Sequence, residues 1–224
     1  MRQSIFSYVL SSFLIAIVVT GKAQNNPPDS TRGIHLPTGI RLGTDLILIG
    51  TSAFSESFSG WEINGDVDFG RYYLAADFGN WEREQSLVNG LYKNDGRYYR
   101  VGIDVNFLLK DPDRNMLFFG FRYGHANYSE QVTYSFSAVD FGDYLADESN
   151  SNARANWGEL VTGLRVKVWK EFWMGYTARM KLLARTKNND FETYEIPGYG
   201  LTFKNVYWGF NYQVFWRIPF KKVD

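Results

Sequence analysis

The stretch YYRVGIDVNFLLKDPDRNMLFFGFRYG, residues 98–124, decides the fold because its apolar residues recur at every second position. Apolar side chains occupy the odd positions from Tyr99 to Leu109 and resume at Leu117, after the polar segment 110–115. Arg100, Gly102 and Asp104 occupy the positions between them. Successive side chains of a strand point to opposite faces, so this stretch predicts a β-hairpin with one apolar and one polar face.

The same period of two continues from Thr38 to the end of the chain and predicts about eight strands. The first of them, GIRLGTDLILIG at 39–50, places Leu46 and Leu48 on its apolar face. Short turns are expected near 70, 110–115 and 170–172. Longer polar loops are expected near 51–60, 84–96, 137–156 and 187–204. This layout is typical of an all-β, eight-stranded antiparallel up-and-down transmembrane barrel over residues 38–224.

Two arrangements fit this alternation: a membrane barrel with its apolar face outward, and a soluble periplasmic barrel of the lipocalin type with its apolar face inward. The predicted strands are longer than those of most soluble proteins, which favours the membrane barrel. Glycines on the polar face would leave space beside long arginine side chains in a narrow lumen: Gly43, Gly102, Gly120, Gly124, Gly163, Gly175 and Gly209. Aromatic residues at strand ends predict interfacial girdles: Trp61, Trp81, Tyr98, Trp157, Trp169, Trp173 and Trp208.

Charges of both signs share the polar face, and we expect them to pair across strands and fill the lumen. An ion path or a ligand site is the alternative. The residues are Arg41, Arg71, Arg100, Arg122, Arg165, Lys167, Arg179, Lys181 and Arg217, with Asp45, Glu62, Asp66, Asp68, Asp77, Asp104 and Glu159.

The N-terminus predicts export. Residues 1–23 combine a basic Arg2, an apolar run and a small-residue cleavage site at Ala23, as in a signal peptide. A membrane anchor is the alternative. Residues 24–37 are rich in Pro and Asn and indicate a periplasmic linker. The chain has no cysteine, which excludes thiol chemistry. Its net charge is zero, so it shows no excess of basic residues of the kind that binds nucleic acid.

The sequence predicts no catalytic, cofactor-binding or metal-binding residue. His35 lies in the linker, and His125 continues the outward apolar face near the expected outer interface. The acidic loop with Asp140, Asp143, Asp147 and Glu148 lacks the glycine-centred ligand pattern of a calcium loop. A solvated acidic loop is therefore the expectation.

The C-terminal part resembles an uncharacterised family of Bacteroidota outer-membrane β-barrels, known only as a domain of unknown function. The matching motifs are Ile196-Pro197-Gly198-Tyr199-Gly200, Gly209-Phe210-Asn211-Tyr212 and Ile218-Pro219-Phe220. The resemblance implies a barrel in the cell outer membrane of a Gram-negative bacterium. It implies no activity.

Together these features predict a non-enzymatic integral barrel, structural or an accessory subunit of an outer-membrane complex. Expected partners are membrane lipid and other outer-membrane proteins or a periplasmic lipoprotein, without nucleic acid. The alternatives are a membrane-embedded lipid-modifying enzyme and the soluble lipocalin-like binding barrel.

Overall fold

A computed structural model describes residues 36–109, 111–138, 142–187, 190–203 and 206–220. The predicted signal peptide, His35 and most of the predicted linker lie outside these residues. The elements in chain order are β1 (Gly39–Asp45), α1 (Leu46–Phe54), β2 (Phe58–Phe69), β3 (Tyr72–Leu87), β4 (Gly90–Asn106), β5 (Met116–Ala138), β6 (Gly142–Trp169), β7 (Phe172–Lys187), β8 (Glu195–Ile196), β9 (Gly200–Leu201) and β10 (Val206–Pro219).

Eight of these strands close into an antiparallel barrel in the order β1-β10-β7-β6-β5-β4-β3-β2, which confirms the predicted fold. The first and last strands complete the ring, with Gly39 opposite Pro219 and Asp45 opposite Gln213. The short strands β8 and β9 form a separate hairpin. The backbone N–H of Phe220 donates to the carbonyl of Thr38, so both ends of the barrel domain lie beside the short turns.

The two faces of the barrel wall differ in polarity, as the hairpin at 98–124 predicts. Ile103 points outward and is 55% exposed, whereas Arg100 on the same strand points inward and is 2% exposed. Phe121 and Tyr123 on the next strand are likewise exposed, and Arg122 between them is buried. The barrel therefore carries its charges inside and its apolar side chains outside.

Four strands continue far beyond the others at the end opposite the short turns. We call residues 82–97, 127–138 and 142–155 the extension. Its strands stay paired up to Leu87 opposite Gly90 and Ala138 opposite Gly142. The prediction of polar loops at 84–96 and 137–156 was therefore wrong. The polar residues there belong to hairpins, because a strand whose outer face is polar shows little hydrophobic alternation.

The prediction that the first strand continues to residue 50 was also wrong. The strand ends at Asp45, whose carboxylate accepts a hydrogen bond from Ile47 N at 3.0 Å and caps α1. An aspartate at this position satisfies an N–H group that the first helical turn leaves free. Among the described residues, no helix is long and apolar enough to span a bilayer.

The glycines of the polar face allow close approach, but at Gly102 and Gly124 the nearest neighbour is not the predicted arginine side chain. A Cβ atom on Gly102 would overlap the backbone carbonyl of Phe121, and one on Gly124 would overlap the indole of Trp157. The predicted aromatic girdle was wrong in part. Trp61, Trp169 and Trp208 are exposed, but Tyr98, Trp157 and Trp173 are each 2% exposed and point into the lumen.

Candidate functional site

A network of buried ion pairs fills the middle of the lumen. The Arg100 guanidinium contacts Glu62, lies 3.4 Å from Asp77 and lies 3.8 Å from Glu159. Arg179, on the opposite side of the barrel, contacts Asp77 and Glu159 at 3.0 Å each. These pairs connect β2, β3, β4, β6 and β7, and every one of these charges except Glu62 has partners on at least two strands.

Further ion pairs fill the half of the lumen nearer the short turns. Arg41 and Arg165 both contact Asp66, the former at 2.8 Å. Arg122 makes two hydrogen bonds of 2.7 Å to Asp104. The predicted cross-strand pairing is confirmed, and several pairs also cross the lumen between strands that are not neighbours. Two predicted lumen charges lie elsewhere: Arg71 is exposed in a turn, and Lys167 is half-buried near Asp113.

Residues 190–203, which we call the plug loop, place their central part inside the end of the barrel opposite the short turns. Residues 195–200 are all buried, and Ile196 and Tyr199 are at most 1% exposed. The Tyr199 ring packs edge-on against Trp157, with 5.8 Å between ring centroids. The prediction of a polar surface loop at 187–204 was therefore wrong for its central part. The motif Ile196-Pro197-Gly198-Tyr199-Gly200 forms this plug.

Lys181 on β7 holds the plug loop in place from inside the lumen. Its Nζ atom donates to the carbonyl oxygens of Gly198 and Tyr199 at 2.8 and 2.9 Å. Gly198 has φ +78° and lies against the Tyr98 ring, where a Cβ atom would come within 2.5 Å of the ring. Glycine is required here by both the backbone conformation and the lack of space.

Glu195 anchors the rim of the plug loop to the extension. Its carboxylate lies 3.0 Å from Arg83 Nε, and its carbonyl accepts a hydrogen bond from Asn94 Nδ2 at 2.8 Å. Burial raises the pKa of the Glu195 carboxyl above its usual value, while the charge of Arg83 opposes this shift and that of Glu130 adds to it.

The barrel wall contains an opening where α1 replaces a strand. The first strand pairs with β2 only from Thr44 to Ile40 and with β10 only up to Asp45. Residues 58–62 of β2 and 206–212 of β10 therefore have no strand between them, and α1 lies against both. We call this region the lateral opening. An unpaired strand edge is costly unless other groups satisfy its backbone.

Side chains of β1 and α1 satisfy part of these free edges. The Ser52 hydroxyl accepts from Gly60 N and donates to Gly60 O, both at 2.7 Å. Thr44 donates to the Glu62 carbonyl at 2.7 Å. On the other edge, the Asp45 carboxylate accepts from Tyr212 N at 3.2 Å and from Asn211 Nδ2 at 2.5 Å. The lateral opening is therefore closed by side-chain hydrogen bonds and not by continuous backbone hydrogen bonding between strands.

A cavity of about 220 Å³ lies between α1, the ion-pair network and the plug loop. Ile47, Leu48, Phe58 and Phe210 contribute its apolar lining. Its polar lining includes the charged residues Asp45, Glu62, Arg83, Arg100, Lys181 and Glu195, together with Trp81, Thr51, Asn211 and three tyrosines, Tyr98, Tyr199 and Tyr207. The cavity combines apolar and polar walls beside the lateral opening, so we take it as the candidate functional site.

His125 faces outward, as expected from the alternation. Its Nδ1 atom lies 2.7 Å from the side-chain oxygen of Asn156, which also accepts a hydrogen bond from the Tyr123 hydroxyl at 2.7 Å. The centroids of the imidazole and the Tyr99 ring lie 5.2 Å apart. This is a surface cluster of β4, β5 and β6, separate from the cavity.

Residues 142–148 of the acidic segment form part of the extension. Asp147 accepts hydrogen bonds from Gln131 at 2.8 and 3.0 Å, and Glu148 accepts one from the Tyr134 hydroxyl at 3.3 Å. Asp140 and the side chain of Asp143 lie outside the described residues. Within the described part of the chain, no group of three or more His, Cys, Asp or Glu side chains could hold a metal ion.

Sequence reasoning missed the cavity, although one signal was present. The run Leu46-Ile47-Leu48-Ile49 is apolar at every position and breaks the period of two, and it directly follows a potential N-cap aspartate. This combination indicates a helix start. Trp81 and Glu195 carry no comparable signal, because only the closure of the barrel brings them to the cavity.

Comparison with known proteins places the chain in a family but gives no activity. No curated protein matches the sequence at a significant level. The model of the domain of unknown function DUF6048 matches residues 1–223. The chain therefore belongs to the DUF6048 family.

Proposed function

We propose that this protein is an integral barrel of the outer membrane of Bacteroidota, exported with a cleaved signal peptide. The observation that carries the proposal is the belt of exposed apolar side chains around the barrel. It includes Ile63, Leu74, Ile103, Phe121, Leu164, Tyr176 and Phe210, each between 43% and 56% exposed. Such a belt around a charged, packed interior is unfavourable in water and favourable in lipid.

The height of the belt supports the same conclusion. On β4 and the first residue after it, the outward residues from Tyr99 to Phe107 are apolar, whereas Arg97, Asp95 and Lys93 follow on the same face. Eight steps of about 3.3 Å span roughly 26 Å along the strand, or about 20 Å along the barrel axis at a tilt of about 40°. This is close to the apolar band of about 25 Å in known outer-membrane barrels.

We expect the purified protein to show no steady conductance in a planar bilayer. The ion pairs of Arg100, Arg122, Arg165 and Arg179 and the plug loop fill the lumen. An eight-stranded barrel encloses only enough space for side chains. Reproducible single-channel steps that persist in an independent preparation would contradict the packed lumen and support an ion path.

The extension is the part of the protein best suited to contact a partner. Its tip exposes apolar side chains beyond the belt: Val88 is 99% exposed, Leu145 68% and Tyr144 58%. Ser135, which is paired with Leu145, donates its backbone N–H to Asn89 O, so these side chains lie at one end of the sheet. We propose a non-enzymatic, accessory role in which this tip contacts another outer-membrane protein.

A photoreactive amino acid in place of Leu145 is expected to give a crosslinked species larger than the monomer in intact cells. The matched control is the same amino acid at Asp113, which is exposed in the turn at the opposite end of the barrel. Recovery of monomer alone from the Leu145 position, under conditions where the protein is abundant, would end the accessory-subunit proposal.

A further inference from the structure

The lateral opening connects the apolar outside of the barrel with the cavity. The residues of α1 are exposed or half-buried, and Leu46, Ile47 and Ile49 are between 37% and 46% exposed. The helix is held through Ser52 on one edge and through Asp45, its own N-cap residue, on the other. A nine-residue helix held in this way can move with the loss of few hydrogen bonds, whereas separating two paired strands would break a ladder.

The inner wall of the cavity contains polar atoms without hydrogen-bond partners. The indole Nε1 of Trp81 is buried and has no partner among the described residues. Arg83 Nε and Glu195 Oε2 lie 3.0 Å apart as an ion pair, but neither completes a hydrogen bond. Buried polar atoms of this kind are uncommon in folded proteins, and each of them needs a physical explanation. The indole N–H is therefore a free donor, and the Glu195 carboxylate, which is paired with Arg83 as an ion pair, can accept a further hydrogen bond.

The charges around the cavity balance. Arg83, Arg100 and Lys181 are matched in number by Asp45, Glu62 and Glu195. A charged ligand group would therefore leave one buried charge without compensation, which is costly. A hydroxyl group can both donate and accept, and it would satisfy the free atoms without changing the net charge.

The size and polarity of the cavity restrict the ligand further. A volume of about 220 Å³ is below the roughly 300–1,000 Å³ of sites that enclose a whole small molecule. A head group fits, but an attached long chain does not. The apolar residues Ile47, Leu48 and Phe210 lie on the side of α1, where such a chain would leave the cavity.

We infer that the cavity binds the uncharged, hydroxylated head group of a single-chain amphiphile that enters from the bilayer past α1. The head group accepts a hydrogen bond from Trp81 Nε1 and donates one to Glu195, and the chain lies along α1 in the lipid. This inference rests on the proposed membrane location. It adds a lipid-binding site that the accessory role does not require.

The inference can be tested by NMR of the full chain, labelled with ¹⁵N at the tryptophan indoles, in lipid nanodiscs. We expect 1-monooleoylglycerol to shift the Trp81 indole N–H signal in a saturable manner. Trp173 is the matched internal control: its indole Nε1 is also buried without a partner, but it does not line the cavity. Its signal should not move. Oleate, which has the same chain with a charged head, should bind at least tenfold more weakly.

Two variants separate binding from structural perturbation. Trp81→Phe removes the indole donor and should weaken retention of radiolabelled monooleoylglycerol by about threefold to tenfold, the worth of one hydrogen bond. Trp173→Phe should leave retention unchanged. Equal or tighter binding of oleate, or shifts confined to the lipid-facing Trp208, would overturn the inference. If the protein enters nanodiscs but the Trp81 signal does not shift, only the lipid-binding inference is overturned. If the protein does not enter nanodiscs, the proposed membrane location is overturned as well.

Discussion

Replacement of Arg100 by methionine is expected to lower the free energy of unfolding by about 3–5 kcal/mol, the cost of breaking a buried ion pair from one side. Arg100 is 2% exposed and contacts Glu62, Asp77 and Glu159. Methionine preserves much of the side-chain length but leaves Glu62 buried without its ion-pair partner. The measurement is urea unfolding of the protein refolded into lipid vesicles, followed by tryptophan fluorescence.

Arg97→Met is the matched control for this substitution. Arg97 lies on the same strand, three residues earlier, and is exposed on the outer face of the extension. Its replacement should change stability by less than about 0.5 kcal/mol. Adding Glu62→Gln to Arg100→Met should restore part of the loss, because it removes the uncompensated charge. Equal stability of Arg100→Met and Arg97→Met would show that the lumen network contributes little to folding.

Ile103→Arg is expected to destabilise the barrel in lipid by about 2–4 kcal/mol, the cost of an arginine near the bilayer midplane. Ile103 is outward-facing, and its cross-strand neighbours Leu74 and Phe121 are exposed apolar residues. The arginine would therefore lie in the middle of the apolar belt. Unfolding in vesicles measures the loss.

Val88→Arg is the control, because Val88 is 99% exposed at the β3–β4 turn, beyond the belt. This substitution should be neutral within about 0.5 kcal/mol. If Ile103→Arg is as stable as the wild type in lipid, the outer face does not contact the bilayer. The proposed membrane location would then have to be dropped.

The alternation of residues 98–124 correctly predicted which side chains share a face. Arg100, Asp104 and Arg122 are buried and Ile103 and Phe121 exposed, as the period of two requires. The same alternation places Tyr98, Trp157 and Trp173 on the polar face. They were assigned to an outer aromatic girdle because they are aromatic and lie near strand ends. The assignment was wrong because it ignored the face that the two-residue alternation gives them.

The extension and α1 show where local patterns are insufficient. Residues 84–96 contain no apolar alternation, yet they form paired strands, because backbone hydrogen bonding to β5 continues beyond the belt. The run 46–49 has no polar face and fits neither face of a barrel strand. Its helical conformation is stabilised by Asp45 and Ser52. Asp45 accepts a hydrogen bond from Tyr212, which is distant in sequence, and Ser52 accepts one from Gly60 on the next strand.

The sequence by itself determined the number of strands, their two faces and the presence of opposite charges in the lumen, because these depend on a period that each strand expresses locally. Only the tertiary structure decided which charges pair across the lumen and where the wall lacks a strand. It also brought Trp81, Lys181 and Glu195 to one cavity. These relations depend on the register of closure between β1 and β10 and on the path of the plug loop, which join residues more than 100 positions apart.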